Sequence, residues 1–272
     1  MWRLVTPVAF ALASFGASAS DAPRVVSVNV CTDQLVVLLA EPAQIISLSD
    51  LSDDPRSSAL AEDAAQFPKN NSQAEVIALQ NPDIVVAGAY TNPSLVALLR
   101  SIGIEVVQFP ITQSLREIPD DIRRMGALLG QEDKARALAA DLDAELQGLP
   151  AVQEDAPLAA FFMPNGFSVG AGTLSHDILT AGGARNLSDD LGFDGIGTLT
   201  LEQAILHQPD LLIGSQRFDG FSLSEEMVSH PALTGFPVLQ TSVDWVCGTP
   251  SVMNAIASVQ DRVGELREAG RD

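Results

Sequence analysis

Five aromatic side chains stand out in a chain that has few of them. Phe, Trp and Tyr make up 5% of the 272 residues, and the single Tyr is Tyr90. The five residues follow apolar runs with the pattern of β-strands: Tyr90, Phe167, Phe218, Phe221 and Trp245. Loops after strand ends bind ligands in open α/β sheets, and aromatic rings supply apolar contact area at low entropic cost. These rings are therefore predicted to contact a flat or bulky ligand, with Tyr90 and Trp245 on opposite sides of one cleft. The alternative is that the rings fill the protein core from above.

Polar residues in similar positions are weaker candidates for the same site. Asn29 and Thr32 flank the first predicted strand-to-helix turn, where backbone N–H groups at a helix start attract anions. The remaining candidates also lie in loops: Ser49, Asp50, Asn165 and Arg217. Arg217 has the chemistry to pair with a carboxylate or a propionate of a ligand. Each of these side chains is alternatively a solvated loop residue.

Two cysteines, Cys31 and Cys247, admit three interpretations. A disulfide is typical of an exported chain with a small even number of cysteines, and it would close a loop of 216 residue steps. In the chain-entropy model such a loop contributes about 5 kcal/mol to stability. Two free buried thiols, or two thiols that ligate a soft metal, are the alternatives.

The histidines and cysteines of the chain do not form the clusters that metal-dependent or redox enzymes use. The three histidines, His176, His207 and His230, are scattered, and the chain has no C-x-x-C. We therefore predict no catalytic residue, no metal site and no intrinsic cofactor; an exported α/β hydrolase and a receptor for bare metal ions are rival functions. With 15 basic against 35 acidic residues, the net charge is −20, which disfavours nucleic acid as a partner.

Short apolar runs alternate with helical patterns and would position these residues. Seven runs predict strands: Arg24–Val28, Gln44–Leu48, Asp83–Ala87, Glu105–Phe109, Leu158–Met163, Asp210–Gly214 and Pro237–Thr241. Four segments predict helices: Thr32–Ala40, Ser94–Ile102, Leu174–Ala181 and Val252–Leu266. Strands that alternate with helices indicate parallel βα units, so the fold class is α/β with parallel sheets.

The chain also contains an approximate internal repeat. The segment Glu75–Gly88, EVIALQNPDIVVAG, is similar to Glu202–Ser215, EQAILHQPDLLIGS, at a constant offset of 127 residues. Each copy reads as a short helix, a Pro-Asp break and an apolar strand. The repeat predicts two similar Rossmann-like lobes, although any α/β protein can reuse such a turn.

Four segments follow from these patterns. Residues 1–19 have the basic start, apolar run and A-x-A ending of a signal peptide that is cleaved after Ala19, which predicts export to a periplasm. Residues 20–113 form the predicted N-terminal lobe and residues 157–272 the C-terminal lobe. Between them, residues 114–149 are predicted to form a single long connecting helix, with the ligand cleft between the lobes.

The order and spacing of several motifs resemble a known family. They are Arg24–Ser27, Asn81–Val86, Gly170–Leu174, Ala181–Leu187, Pro209–Ile213 and Asp244-Trp245, together with the connecting segment. The mature chain is similar throughout to the solute-binding receptors of ABC importers for iron–siderophores, haem and cobalamin. The resemblance implies a monomer that captures a metal chelate, a ferric siderophore or cobalamin before haem, and delivers it to an inner-membrane permease with its ATPase.

One departure from the family concerns docking to the permease. Receptors of this family usually present one exposed Glu on each lobe, and the matching positions here are Pro93 and Cys247. The docking carboxylates therefore cannot be transferred from the family. Acidic neighbours offer a hypothesis for their replacement: Asp53, Asp54, Glu225 and Glu226.

Overall fold

The computed structural model describes residues 22–215 and 223–270, and each half of the chain contains a parallel β-sheet. The sheet of lobe one has the strand order β3-β2-β1-β4-β5. Its strands are β1 Val25–Ser27, β2 Ile45–Ser49, β3 Lys69–Asn70, β4 Ile84–Gly88 and β5 Glu105–Phe109. Every residue of β4 is buried, as expected for a central parallel strand that helices cover on both faces.

Lobe one has four described α-helices, and side chains cap the first and the last of them. They are α1 Val30–Leu39, α2 Ala61–Ala64, α3 Ala74–Leu79 and α4 Pro93–Ser101. At α1 the side-chain oxygen of Asn29 accepts hydrogen bonds from the N–H groups of Cys31 and Thr32, at 3.0 and 3.4 Å. At α4 the side chain of Asn92 accepts from the N–H of Ser94, at 2.9 Å. The caps at α1 and α4 fix where the chain turns from strand to helix.

The segment between the lobes contains two helices, so the predicted single helix over residues 114–149 is wrong. Helix α5 spans Ile118–Leu129, and α6 spans Glu132–Gln147. Gly130 ends α5 with a φ of 67°, a left-handed conformation that glycine adopts without steric cost. The chain then reverses and α6 packs on α5 so closely that a Cβ on Gly126 would lie 2.1 Å from the Cβ of Ala135. The connection is a helical hairpin.

Lobe two contains a four-stranded parallel sheet and a separate two-stranded ribbon. The sheet has the order β11-β10-β6-β8, and β7 pairs with β9 in antiparallel fashion. The strands are β6 Leu158–Phe161, β7 Phe167–Val169, β8 Arg185–Asn186, β9 Ile196–Thr198, β10 Leu211–Gly214 and β11 Val238–Gln240. The helices are α7 Leu174–Ala181, α8 Leu187–Leu191, α9 Leu201–His207, α10 Leu223–Glu226 and α11 Val252–Ala269. The predicted α/β fold with two parallel-sheet lobes is confirmed.

The internal repeat has a structural counterpart. Both copies fold as a helix, a turn and a strand, which are α3 with β4 and α9 with β10. Asn81 and Gln208 take the same place in the turn and have φ angles of 49° and 44°. Two residues later, the carboxylate of Asp83 accepts from the N–H of Arg24 at 2.7 Å, and that of Asp210 accepts from the N–H of Leu158 at 2.8 Å. In each lobe this aspartate ties its own strand to the beginning of the neighbouring strand.

A continuous apolar core joins the lobes through the hairpin. One cluster of buried side chains includes Val25 of lobe one, Met125 of α5, and Phe161 and Ile178 of lobe two. The N–H of Leu115, just before α5, donates to the carboxylate of Asp177 on α7 at 3.1 Å. None of the helices in the described ranges is long and apolar enough to cross a membrane.

Candidate functional site

Loops from both lobes converge at the carboxyl ends of the parallel strands. We call these loops the cleft edge; they are residues 28–29, 50–60, 71–73, 89–92 and 110–113 of lobe one, and 162–166, 215 and 241–250 of lobe two. A Cβ on Gly248 of lobe two would lie 2.5 Å from the hydroxyl oxygen of Thr112 of lobe one. The ends of the two sheets therefore meet, and the cleft between the lobes begins where these loops approach one another.

A disulfide bond joins the lobes at this edge. Cys31, at the start of α1, is bonded to Cys247, and their Cα atoms are 5.2 Å apart. The predicted pairing is confirmed, so neither thiol is free to ligate a metal. Cys31 comes four residues after β1 and Cys247 seven residues after β11, so the bond ties the two lobes together beside the cleft edge.

Tyr90 extends into solvent from the loop after β4. Its side chain is 87% exposed. The loop itself is held in place, because the N–H of Gly88 donates to the hydroxyl of Thr91 at 3.0 Å and Asn92 caps α4. Gly88 also lies against Asn29, where a Cβ would approach the amide group to 2.9 Å. A fixed loop with an exposed ring provides a preformed apolar contact.

Trp245 is buried, in contrast to Tyr90. Its exposed fraction is 5%, and its ring packs edge-on against Phe161, with centroids 6.1 Å apart and an interplanar angle of 82°. A ring in this position offers no open face to a ligand. The structure thus corrects the predicted ligand contact of Trp245 in favour of the alternative, a ring that fills the core.

Three polar candidates of lobe one are committed to contacts within the protein. Thr32 is 1% exposed, and its hydroxyl bonds to that of Ser27 at 2.8 Å and donates to the carbonyl of Asn29 at 3.0 Å. Ser49 is 6% exposed, and both its N–H and its hydroxyl donate to the carboxylate of Asp33. The ligand roles predicted for Thr32 and Ser49 are corrected to structural ones. Asn29 is half-buried and serves as the α1 cap.

The partner of Ser49 is a buried acid that the sequence did not single out. Asp33 is 1% exposed, and burial raises the pKa of its carboxyl against the opposing effect of its hydrogen bonds from serines. The residue lies on α1, directly below the cleft edge. Asp50, which follows Ser49 in the loop after β2, is exposed and therefore available to a ligand.

On lobe two the antiparallel ribbon presents an apolar surface that was not predicted. Phe167 lies opposite Thr198, and Val169 lies opposite Ile196, so these four side chains share one face of the ribbon. Phe167 is 37% exposed and Ile196 is 72% exposed. A groove of about 530 Å³ runs beside Phe167 and is lined by Met163, Pro164, Asn165, Thr198 and Ser215. Asn165 is exposed and has a φ of 59°.

A second, more enclosed cavity lies deeper in lobe two. Its volume is about 200 Å³, and it lies at the ends of β6, β10 and β11. The polar members of its walls are Ser215 and Gln240. The other lining residues are Phe162, Pro164, Leu212, Gly214, Val228, Leu233 and Val238.

Three predicted contacts, Arg217, Phe218 and Phe221, lie outside the described residues, as does the predicted signal peptide.

The positions considered for docking differ in their availability. Pro93 is exposed at the start of α4, whereas Cys247 is buried in the disulfide. Asp54 pairs with Arg56 at 3.0 Å, and hydrogen bonds from this arginine lower the pKa of the Asp54 carboxyl. Asp53 pairs with Lys69 at 3.6 Å. Glu226 is exposed at the end of α10.

Comparisons of the sequence with known proteins match this chain to binding proteins. A family model described as "Periplasmic binding protein" matches residues 25–242. The chain is 26% identical over 229 residues to the vitamin B12-binding protein of Salmonella choleraesuis (strain SC-B67), which covers 82% of this chain and 83% of that protein. It is 24% identical over 219 residues to the cobalamin-binding protein of Halobacterium salinarum (strain ATCC 29341 / DSM 671 / R1), covering 78% and 59%.

Solved structures show the same fold. The apo form of the periplasmic heme-binding protein RhuT from Roseiflexus sp. RS-1 matches with a TM-score of 0.70 and 19% identity, covering 89% of this chain and 99% of that chain. The periplasmic vitamin B12 binding protein BtuF of Vibrio cholerae matches with a TM-score of 0.65 and 17% identity, covering 90% and 98%.

Proposed function

Because the chain belongs to the periplasmic binding protein family, we propose that it captures a metal chelate in the periplasm and delivers it to an ABC permease. The proposed ligand is cobalamin or a ferric siderophore, bound at the cleft edge by a monomer. The observation that carries the proposal is the placement of exposed apolar side chains on both sides of this edge. Tyr90 projects from lobe one, and on lobe two Phe167 lies beside the cleft-edge residues 163–165 and 215. Ile196 lies farther along the same face of the ribbon.

These surfaces suit a large ligand with apolar faces. Exposed aromatic and aliphatic side chains on rigid supports bind such faces without a large loss of side-chain entropy. The loop of Tyr90 is fixed by its hydrogen bonds, and the ribbon is fixed by its strand pairing. Cobalamin is the first choice, because the relatives that match this chain over most of its length carry that name.

Haem is a second candidate that one specific observation favours. A tyrosine oxygen is among the protein ligands that hold haem iron, and Tyr90 presents its phenol at the cleft edge with 87% exposure. The variants Tyr90→Phe and Tyr90→Ala separate the two roles. If Tyr90 ligates haem iron, Tyr90→Phe shifts the haem absorption spectrum as much as Tyr90→Ala does. If the ring only packs on the chelate, Tyr90→Phe behaves like the parent protein.

The direct test is an equilibrium titration of the mature protein with three classes of chelate. Cyanocobalamin, haemin and a ferric hydroxamate siderophore are each titrated by calorimetry, with a metal-free siderophore as the control. We expect one of the chelates to bind with micromolar or tighter affinity and a stoichiometry of one. If the purified, folded protein binds none of them, the proposed function is wrong.

Delivery to the permease requires exposed carboxylates at positions other than Cys247, which is bonded to Cys31. Asp53 and Asp54 on lobe one are already paired with cations, whereas Glu226 on lobe two is exposed, so Glu226 is the better docking candidate of the three. With the permease and its ATPase in nanodiscs, the loaded receptor should stimulate ATP hydrolysis. Glu226→Gln should weaken this stimulation, whereas Asp54→Asn should leave it unchanged. Equal effects of both variants would argue against Glu226.

A further inference from the structure

The charges of the cleft edge are almost all of one sign. Within its described residues, the loops defined above contain four carboxylates: Asp50, Asp53, Asp54 and Asp244. They contain a single basic side chain, Arg56, and its guanidinium already holds Asp54. The described part of these loops thus supplies carboxylates and no uncommitted cation to a ligand that enters from solvent.

Two of the four carboxylates have no counterion among the residues that the structure describes. Asp53 is paired with Lys69, which also donates to the carbonyl oxygens of Ala64 and Phe67, at 2.6 and 3.0 Å. Asp50 is exposed. Neither Asp50 nor Asp244 takes part in any of the ion pairs that the structure shows within its described residues, 22–215 and 223–270.

Among the described residues, the donors that hold Asp244 in the loop after β11 are neutral. The hydroxyl of Ser242 donates to its carboxylate at 2.9 Å, and the amide of Asn254 donates at 3.5 Å. Hydrogen bonds from neutral groups orient the carboxylate but leave its negative charge uncompensated. One such charge therefore lies on each side of the cleft, Asp50 on lobe one and Asp244 on lobe two.

We infer that the receptor selects a neutral or cationic chelate, such as a corrinoid with all its side chains amidated, and rejects anionic chelates. This inference rests on the proposed function and narrows the class of ligand. An anionic group that leaves water needs a cation or free N–H groups to compensate its desolvation. At the starts of α1 and α4, Asn29 and Asn92 already accept hydrogen bonds from the backbone N–H groups of Cys31, Thr32 and Ser94. The overall charge of −20 acts in the same direction at longer range, because it repels anions during their approach.

Corrinoids allow the ligand charge to vary on one scaffold. The probes are cyanocobalamin, which is neutral; its monocarboxylic acid, in which one amide becomes a carboxylate; and aquacobalamin, which is cationic. Haemin, with two propionates, is the anionic chelate of a different scaffold. We expect the neutral and cationic corrinoids to bind at least about ten-fold more tightly than the monocarboxylate, because a carboxylate without a partner costs more than an amide.

The carboxylates themselves give the matched variants. In the double variant Asp50→Asn with Asp244→Asn, the ratio of the affinities for cyanocobalamin and its monocarboxylic acid should fall by about two-fold for each charge removed. Added salt should lower this ratio in a similar way. Asp54→Asn is the control within the same edge, because Arg56 already neutralises that charge. Arg217→Ala tests whether this arginine, outside the described residues, supplies a cation to anionic ligands.

The outcomes separate this inference from the function on which it rests. If haemin or the monocarboxylate binds as tightly as cyanocobalamin or more tightly, the inference is wrong and chelate capture stands. A loss of anion binding in Arg217→Ala would also contradict the inference, and it would identify the cation that holds the anion. If no chelate of any charge binds, the proposed function and the inference both fail.

Discussion

Removal of the disulfide should destabilise this protein more than any ordinary surface change. The bond between Cys31 and Cys247 closes a loop of 216 residues, and the chain-entropy model assigns about 5 kcal/mol to a loop of that length. A typical domain has a net stability of about 5–15 kcal/mol. The double variant Cys31→Ser with Cys247→Ser should therefore lose a large part of the free energy of unfolding.

The structure also indicates what should survive in this variant. The apolar core that runs through α5 and the hydrogen bond from Leu115 to Asp177 do not depend on the bond. The lobes should thus stay docked, with native circular dichroism at 25 °C, because the effect acts mainly on the unfolded chain. For a chain of this size the loss corresponds to a fall in Tm of about 10–20 °C.

Denaturation by urea, followed by circular dichroism, measures the change in the free energy of unfolding. The parent protein with and without reductant provides a second comparison, and the double variant in reductant is the control for effects of the reductant itself. If the double variant loses less than about 1 kcal/mol, the entropic argument is refuted for this protein.

Three further predictions concern single side chains. Trp245→Ala should cost about 3–5 kcal/mol of stability because the ring is buried against Phe161, with Trp245→Phe costing less; a variant as stable as the parent in a thermal melt would contradict the core assignment. Tyr90→Ala should keep the parental Tm and weaken chelate binding by about 1–3 kcal/mol, and unchanged calorimetric affinity would remove Tyr90 from the site. Asp33 has a raised pKa in the folded state, so its ionisation costs stability as the pH rises above the pKa of the unfolded chain. Denaturation at pH 4 and pH 7 should therefore show that the free energy of unfolding of Asp33→Asn, relative to that of the parent, is larger at pH 7 than at pH 4. The same difference between variant and parent at both pH values would argue against this reasoning.

The parts of the fold that the sequence predicts well are the long apolar runs between turn residues. The strand over residues 105–109 and the helix over residues 174–181 have the predicted bounds. The short strands β3 and β8 were missed because two residues carry no periodicity, and they pair only through a neighbouring strand.

The helical hairpin did leave a signal in the sequence. Gly130 follows an apolar pair of leucines, and Glu132 and Asp133 come shortly after it. A glycine at a helix end followed by acids at a new helix start is the expected pattern for two helices. The predicted single helix rested on leucine spacing that lies entirely after Gly130, at Leu138, Leu142 and Leu146, and this spacing carries no information about a break at residue 130.

The site was harder to predict than the fold, because burial depends on packing between segments that are distant in sequence. The position of Trp245 after a strand was right, but the ring turns inward onto Phe161, 84 residues earlier in the chain. Ser49 was expected at the cleft edge, but the carboxylate of Asp33 holds its hydroxyl. Tyr90 and Phe167 remain as candidates because they keep 87% and 37% of their surface exposed.

The disulfide also gives the backbone the topology of a covalent ring. The segment between Cys31 and Cys247 includes nearly all of both lobes and the hairpin that connects them. Residues 151–155, which include Glu154, form an exposed segment of this ring. A protease that cuts after Glu154 would open the ring without separating its parts, since both fragments remain attached through sulfur and through the shared core. A receptor nicked at this point in a protease-rich compartment would therefore migrate as one species until it is reduced.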